Sequence, residues 1–393
     1  MSAPRILLVS NGYGEMSILD SIARAIARRD PQARLAHLPL VGRLAADAWP
    51  SAVGPQAEMP SGGLVTYWNL RNIVRDVGAG LLGLALRQLA FLARQHGAYD
   101  AVVAVGDVYC AAACLWFARL PTIFVATAKS EYVAPHSAIE AAIAKRARLT
   151  FARDAATAEA LARAGVHARY VGNVMMDGVD DGVVAVTARP DAIRVAVLPG
   201  SRADAPANAA AATRRLLRVA SLSAKPVQAF VALAPAVSTA AVAQAVAGEG
   251  VAMTATDAAR GIVAAGAAGP LDVVFVRDGL GDVLRASEVV LGQAGTGNEQ
   301  AAGVGKPVLA AAEPGESPQS VGWYRMRQQK LLGDALLVAP ADDDSFARAV
   351  LALLADPQRM AAMGAAGRTR MGGPGASLAI ADAALALAKE RAR

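Results

Sequence analysis

Short apolar runs recur along the chain, each followed by a polar, glycine-containing turn and then by a stretch with helical period. The runs are Ile6 to Ser10, Arg34 to Leu38, Ala101 to Val105, Thr122 to Ala126 and Ala168 to Val171 in the first half. In the second half they are Arg194 to Leu198, Val227 to Leu233, Asp272 to Val276, Val289 to Leu291 and Pro307 to Leu309. Period-3.6 patterns predict helices from about Met16 to Arg29, Ala155 to Ala164, Ala207 to Leu222, Ser345 to Leu354 and Ser377 to Arg391. Strands that alternate with helices in this way form parallel sheets wrapped by helices, the α/β class. A chain of 393 residues exceeds one ordinary domain. The polar joint from Gly172 to Pro190 is where the pattern pauses, which gives domains at 1–172 and 191–376. The last helix, 377–393, is placed to pack back on the first domain.

The turns carry the candidate chemistry. The stretch EVVLGQAGTGNEQAAGVGKPVLAAA, Glu288 to Ala312, reads as strand, loop with Gly292, Gly295 and Gly297, helix beginning near Asn298, and strand. Such a helix start offers unpaired N–H groups and the positive end of the dipole to an anion, most often phosphate. Glu299, in the first turn, is suited to a ribose hydroxyl pair. An ordinary strand-to-helix turn explains the same glycines. Neither GxGxxG nor GxxxxGK[ST] is present, since Lys306 comes late and precedes Pro307. At the amino end NGYGE, Asn11 to Glu15, repeats the strand, glycine, helix order. Gly12 and Gly14 let backbone approach a ligand, and Glu15 serves as acid, base or sugar-hydroxyl acceptor, or only as a first-turn carboxylate. Asp107 follows AVVAV through Gly106 at a strand's carboxyl end, where ligands bind in open sheets, and it also has the makings of a helix cap. Lys129 and Ser130 fall on the same rim. After LPGSR, Arg202 suits a diphosphate or a surface ion pair. Gln319, in EPGESPQSV, suits a sugar or a cap.

Composition narrows the class. The chain is 54% hydrophobic with 36 glycines, as expected of an α/β enzyme with large cores. Cys110 and Cys114 lie one helical turn apart in an apolar run and read as core residues. The four histidines are scattered with no HxxxH or CxxC spacing, so no structural metal is expected. A net charge of +6 favours anionic partners, but aromatics are 5% and no nucleic-acid-binding pattern is present. MSAPRILLVS reads as a first strand and not as a signal peptide, which points to the cytoplasm.

Between the first units lies WNLRNIVRDVGAGLLGLALRQLAFLARQ, Trp68 to Gln95. Its charge-free middle, Val77 to Leu86, is well short of the ~20 residues that cross a bilayer. A buried helix pair kinked around Gly78, Gly80 and Gly83 is the expectation. A surface dipping into the membrane interface, with arginines on headgroups, is the alternative.

Taken together, SNGYGE, SGGLVTYW with DVGAGLLGLALRQ, VGD, ATAKSEY, RYVGNVMMDG, LPGSR and GQAGTGNEQ…GKPV resemble the lipid-A-disaccharide synthase-related family. That family is similar to lipid-A-disaccharide synthase and, more distantly, to the peptidoglycan N-acetylglucosaminyltransferase. The resemblance implies a GT-B glycosyltransferase: two Rossmann-like doubly wound domains facing across a cleft, working without a catalytic metal or other cofactor. It puts the donor diphosphate near Gly200, Ser201, Arg202 and the loop Gln293, Gly295, Thr296, Gly297 and Asn298, with Glu299, Gln300 and Gln319 on the nucleotide or sugar. Acceptor contacts fall to Asn11, Gly12, Tyr13, Gly14 and Lys129. Asp107 stands where the synthase has its base, with Glu15 as substitute. NGYGE departs from the synthase's glycine loop, and RADAPAN lacks the acidic residue that usually follows LPGSR, so the substrate need not be lipid A.

The function so implied is a metal-independent hexosyltransferase, moving N-acetylglucosamine or a relative from a UDP-sugar to a hydroxyl of a lipid-like acceptor at the inner face of the cytoplasmic membrane. The same architecture serves UDP-N-acetylglucosamine 2-epimerases, which also carry a VGN…D joint. A sugar-nucleotide or lipid binding protein without catalysis is the non-enzymatic alternative.

Overall fold

The computed structural model describes residues 3–45, 47–58, 76–179, 182–256, 261–312 and 322–391. They form two compact units, Met1–Gly178 with Pro374–Arg393, and Val179–Gly373.

The first unit is built on a sheet of order β3-β2-β1-β4-β5-β6-β7, every pair parallel. Its strands are β1 (Arg5–Asn11), β2 (Arg34–Val41), β3 (Ser51–Ala52), β4 (Ala101–Gly106), β5 (Thr122–Ala126), β6 (Leu149–Ala152) and β7 (Ala168–Arg169). Apolar residues run continuously along β1 because both of its faces are covered. Ile6 and Leu8 join one core with Ile22 and Ile26 of α1 (Tyr13–Arg29), while Leu7 and Val9 join another with Leu92, Cys110 and Cys114. The two cysteines are buried and unbridged.

The last helix, Ala376–Arg391, belongs to this unit. Its small and apolar residues, Ala376, Ile380, Ala381 and Ala384, pack on the β1 and α1 core. Asp177 fixes its start, accepting N–H bonds from Gly375 and, at 2.6 Å, from Ser377. Ion pairs of Arg29 with Asp382 at 3.1 Å and Lys389 with Asp30 at 3.2 Å lie at the surface. Such pairs add little beside the apolar contacts.

Within the apolar segment, α2 (Leu81–Ala93) starts at Gly80, whose φ of 92° only glycine adopts readily. Leu81, Leu84 and Leu92 are buried, and the Gln88 amide donates to the carbonyls of Pro39, Leu40 and Pro55 at 3.3, 3.0 and 3.1 Å. The expected buried, kinked pair is corrected in two respects. Gly83 lies inside a regular helix, and the helix turns a second apolar face outward, with Leu82 63% and Leu86 69% exposed. Residues 68–75 lie outside the described residues.

The second unit has the order β10-β11-β12-β9-β8-β13-β14-β15. Its parallel strands are β8 (Ile193–Leu198), β9 (Val227–Leu233), β12 (Leu271–Arg277), β13 (Val289–Gly292), β14 (Val308–Ala311) and β15 (Leu336–Ala339). β10 (Met253–Ala255) and β11 (Ile262–Ala268) add an antiparallel edge. Asp282 ties the entering chain to this unit by accepting the N–H groups of Gly182, Val183 and Val184 at 3.0, 3.0 and 2.8 Å.

One buried pair makes stability depend on pH. His37 is 3% exposed, its Nε2 lies 2.8 Å from Ser10 Oγ, and burial lowers its pKa from 6.5 to about 4. Between those values the unfolded chain binds a proton that the folded one refuses, so stability falls as pH drops. The contribution is complete above about pH 6.5 and amounts to about 3 kcal/mol, lost by about pH 4. His37→Gln keeps a partner for Ser10 and does not titrate. Urea melts at pH 7 and pH 4.5 are expected to show a smaller acid loss in the variant than in the wild type.

Candidate active site

In an open α/β sheet the ligand crevice lies at the carboxyl ends of the strands where the strand order reverses. In the first unit that point is between β1 and β4. Ser10 pairs with Val105, so Asn11 and Gly106 end side by side. Gly12 then turns the chain directly into α1 with φ 134°, so Tyr13, Gly14 and Glu15 are its first turn and not a loop. A Cβ on Gly12 would stand 2.6 Å from Glu15 Oε2, and one on Gly106 would stand 3.2 Å from the Asn11 Cβ and 3.6 Å from the Glu15 Cγ. The missing side chains therefore let Asn11, Glu15 and the end of β4 close on one another.

Asn11 is 1% exposed, and neither atom of its amide has a hydrogen-bond partner among the described residues. Buried polar groups are rarely left in that state, and those that are mark functional positions often enough to notice. Asp107 caps the helix Val108–Ala113, accepting the Cys110 N–H at 3.0 Å. Burial raises its pKa, opposed by the cap bonds and by the nearby Asn11 amide, which lies close enough to act on the charge without reaching ordinary hydrogen-bond geometry. A carboxylate raised in this way is a better base than an exposed one.

Lys129 does not present an open charge. Its Nζ lies 2.7 and 3.0 Å from the two carboxylate oxygens of Glu140. Burial alone would raise the Glu140 pKa, but the Lys129 and Ser137 bonds outweigh it and hold the group below its ordinary value. Lys129, Glu140, His136 and Asp107 line a cavity of about 200 Å³, walled elsewhere by Phe124 and Leu161. Sequence reasoning passed over Glu131, His136 and Glu140. The available signal was their density in the segment just after β5, at the carboxyl edge of the sheet.

In the second unit the reversal lies between β8 and β13. Gln293 donates its N–H to Leu198 O at 2.9 Å, and Gly200, with φ 102°, passes 3.7 Å from Gln293 O, measured from where a Cβ would stand. Ser201 and Arg202 are exposed, and Arg202 pairs with no described carboxylate. The helix Thr296–Gly303 begins at Gly295 with no side-chain cap, two residues earlier than the sequence pattern predicts. Thr296 and Gly297 accordingly fall in the first turn, whose N–H groups have no intrahelical acceptor, the arrangement that suits an anion.

The Asn298 side chain turns inward, 1% exposed, with Nδ2 3.3 Å from Gly292 O, and a Cβ on Gly292 would meet its Oδ1 at 1.9 Å. The side chain thus props the strand end, and the backbone N–H in the first helical turn is what remains for the donor contact expected of Asn298. Glu299 is 7% exposed, and Gln293 and Gln300 are partly buried. Gln319 lies outside the described residues.

No protein-family model matches this chain, and no curated protein matches its sequence. Solved structures do match over its whole length. A Listeria monocytogenes protein described as a candidate UDP-N-acetylglucosamine 2-epimerase has a TM-score of 0.59 at 14% identity, covering 99% of this chain and 97% of that one. Staphylococcus aureus MnaA with UDP gives 0.58 at 13%, covering 96% and 94%. The spinosyn rhamnosyltransferase SpnG with thymidine diphosphate gives 0.56 at 14%, covering 96% and 99%. The chain has the GT-B fold.

Asn11→Ala removes two unpartnered buried polar atoms. It is expected to leave urea stability unchanged or raised by about 1 kcal/mol, while turnover falls by about tenfold or more. Paired melts and rate measurements check the opposite directions.

Proposed function

We propose that the protein transfers a sugar, N-acetylglucosamine or a relative, from a UDP-sugar to a hydroxyl of a lipid-like acceptor, as a metal-independent hexosyltransferase. The observation that carries the reading is the uncapped helix start at Gly295 beside the turn at Gly200 with exposed Ser201 and Arg202, a backbone and arginine cradle for a diphosphate. Solved structures of the same fold with UDP or thymidine diphosphate bound support it. As the glycosidic bond to the donor breaks, charge builds on the diphosphate, and fixed N–H dipoles with Arg202 stabilise it. The acceptor proton goes to a base at the carboxyl edge of the first sheet, where Asp107 and Glu15 stand.

The lipid-like acceptor is favoured by the outer face of α2. Leu82 and Leu86 lie there, and the adjoining π-helical turn Cys114–Ala118 exposes Trp116 and Phe117. Exposed Arg87, Arg94 and Arg119 lie close in sequence, as a surface that meets anionic headgroups requires. This reading places the protein on the inner face of the cytoplasmic membrane as a peripheral protein. The resemblance to the lipid-A-disaccharide synthase-related family belongs to the same reading. An epimerase acting on UDP-N-acetylglucosamine alone is the second reading, motivated by solved structures named for that activity. Incubation with that nucleotide-sugar and no acceptor separates the two: an epimer formed in solution favours the second.

UDP is expected to raise the melting temperature, as does any ligand that binds only the folded form. Arg202→Ala is expected to weaken UDP binding about tenfold in calorimetry without changing the melting temperature of the unliganded protein. Leu82→Asp with Leu86→Asp should abolish flotation with anionic liposomes while leaving the fold intact, because both side chains already face water. Unchanged flotation would remove the lipid-facing role of α2.

A further inference from the structure

We propose that His136, held by Glu131, takes the proton from the acceptor hydroxyl, with Asp107 orienting that hydroxyl; the proposal rests on the sugar-transfer reading. One oxygen of Glu131 accepts both the backbone N–H of His136 at 2.7 Å and its ring Nδ1 at 2.6 Å. The two side chains are 11% and 18% exposed. A carboxylate facing Nδ1 requires the proton there, which leaves the Nε2 lone pair to accept another. Nε2 has no hydrogen-bond partner among the described residues.

The segment that carries the pair is tied down at both ends. Glu131 N–H donates to Thr157 Oγ1 at 3.1 Å, and Ser130 O accepts from Val133 and Ala134 at 3.0 and 3.1 Å. Immediately after His136, Ser137 and Glu140 form a reciprocal capping box at the start of the helix Ala138–Ala144. The imidazole is thus set by its surroundings before any ligand arrives, as a base requires.

Other groups on the cavity wall are already committed. Lys129 and Glu140 neutralise one another. Asp107 spends Oδ1 on the Cys110 N–H. That leaves His136 Nε2 and Asp107 Oδ2 on the wall to meet the acceptor, the first to take its proton and the second to orient it. At about 200 Å³ the cavity is below the ~300–1,000 Å³ that encloses a whole small-molecule ligand, so it suits a hydroxyl-bearing headgroup.

The step balances. The acceptor O–H gives its proton to Nε2, and its oxygen forms a bond to the anomeric carbon. The bond from that carbon to the diphosphate oxygen breaks, and the electron pair leaves with UDP. The imidazolium then loses its proton to solvent. His136 is the catalytic group here, and Glu131 is a positioning residue.

The test uses UDP-N-acetylglucosamine with a detergent-solubilised membrane lipid extract, following UDP release, together with UDP calorimetry and 15N spectra of histidine-labelled protein. His136→Gln is expected to lower kcat at least ~100-fold with KM for the donor and UDP affinity unchanged. Asp107→Asn, which still caps its helix, should lower kcat only about tenfold. Glu131→Ala should move the His136 ring toward the Nε2–H tautomer and lower kcat, and Glu131→Gln, which keeps an acceptor oxygen, should restore most of both. Turnover of His136→Gln within twofold of a functioning wild type would overturn the dyad and leave sugar transfer standing. A wild type that releases no UDP would overturn sugar transfer and the dyad with it. An unchanged tautomer in Glu131→Ala would remove the positioning role.

Discussion

Both units depend on one constraint: strands covered on both faces leave no room for polar chemistry except where they end. Residues such as Val103, Val105, Val195 and Val197 are buried to the last turn of their strands. Polar function is therefore compressed into the few residues between a strand's end and the next helix. Glycine decides how tight that hand-over is. At Gly12, Gly106 and Gly292 the space of a missing Cβ is claimed by Glu15, Asn11 and Asn298. In each case the neighbour that fills the space is a polar side chain, at a strand's end for Asn11 and in the first turn of a helix for Glu15 and Asn298. The sites are thus assembled by backbone closeness first and by side-chain choice second.

The two units use that constraint for opposite electrostatics. The second offers N–H groups, a helix start and Arg202, all attractive to a diphosphate. The first offers carboxylates and an imidazole, with its lysine already neutralised by Glu140. A base placed beside the Arg202 guanidinium would have its pKa pulled down and lose part of its capacity to take a proton. In the proposed reaction anion binding and proton removal fall to separate sheets, which avoids that conflict. The raised pKa of Asp107 is intelligible only because its surroundings are desolvating and not cationic.

Much of this was legible in the sequence, for a physical reason. Parallel strands buried on both faces appear as uninterrupted apolar runs, and Thr122–Ala126 and Val227–Leu233 stand where the runs place them. Helix starts were read late: Tyr13 and Thr296 already belong to their helices, because a glycine-rich first turn looks like loop in composition. The edge hairpin β10–β11 left no signal, since IVAAGAA has few side chains of strand preference and is held by pairing with β12. His136 and Asn298 show two limits of pattern reading. A dyad closed across five residues of irregular chain has no fixed spacing, and the inward turn of Asn298 depends on Gly292, six residues earlier, lacking a Cβ.

The apolar segment shows where periodicity reaches its limit. Apolar residues all round a helix are taken to mean burial on all sides. In α2 they do not, because Leu84 and Leu92 go to the core while Leu82 and Leu86 face water. Of the two polar residues in the helix, Arg87 is exposed while Gln88 is inside, where its amide donates to the carbonyls of Pro39, Leu40 and Pro55. Hydrophobicity alone therefore mislabels both faces. Leaving two leucines exposed next to Trp116 and Phe117 forgoes burial worth about 1.5–3 kcal/mol per side chain. Such an exposed apolar face, with Arg87 exposed beside Leu86, is a departure from ordinary burial that periodicity does not foresee.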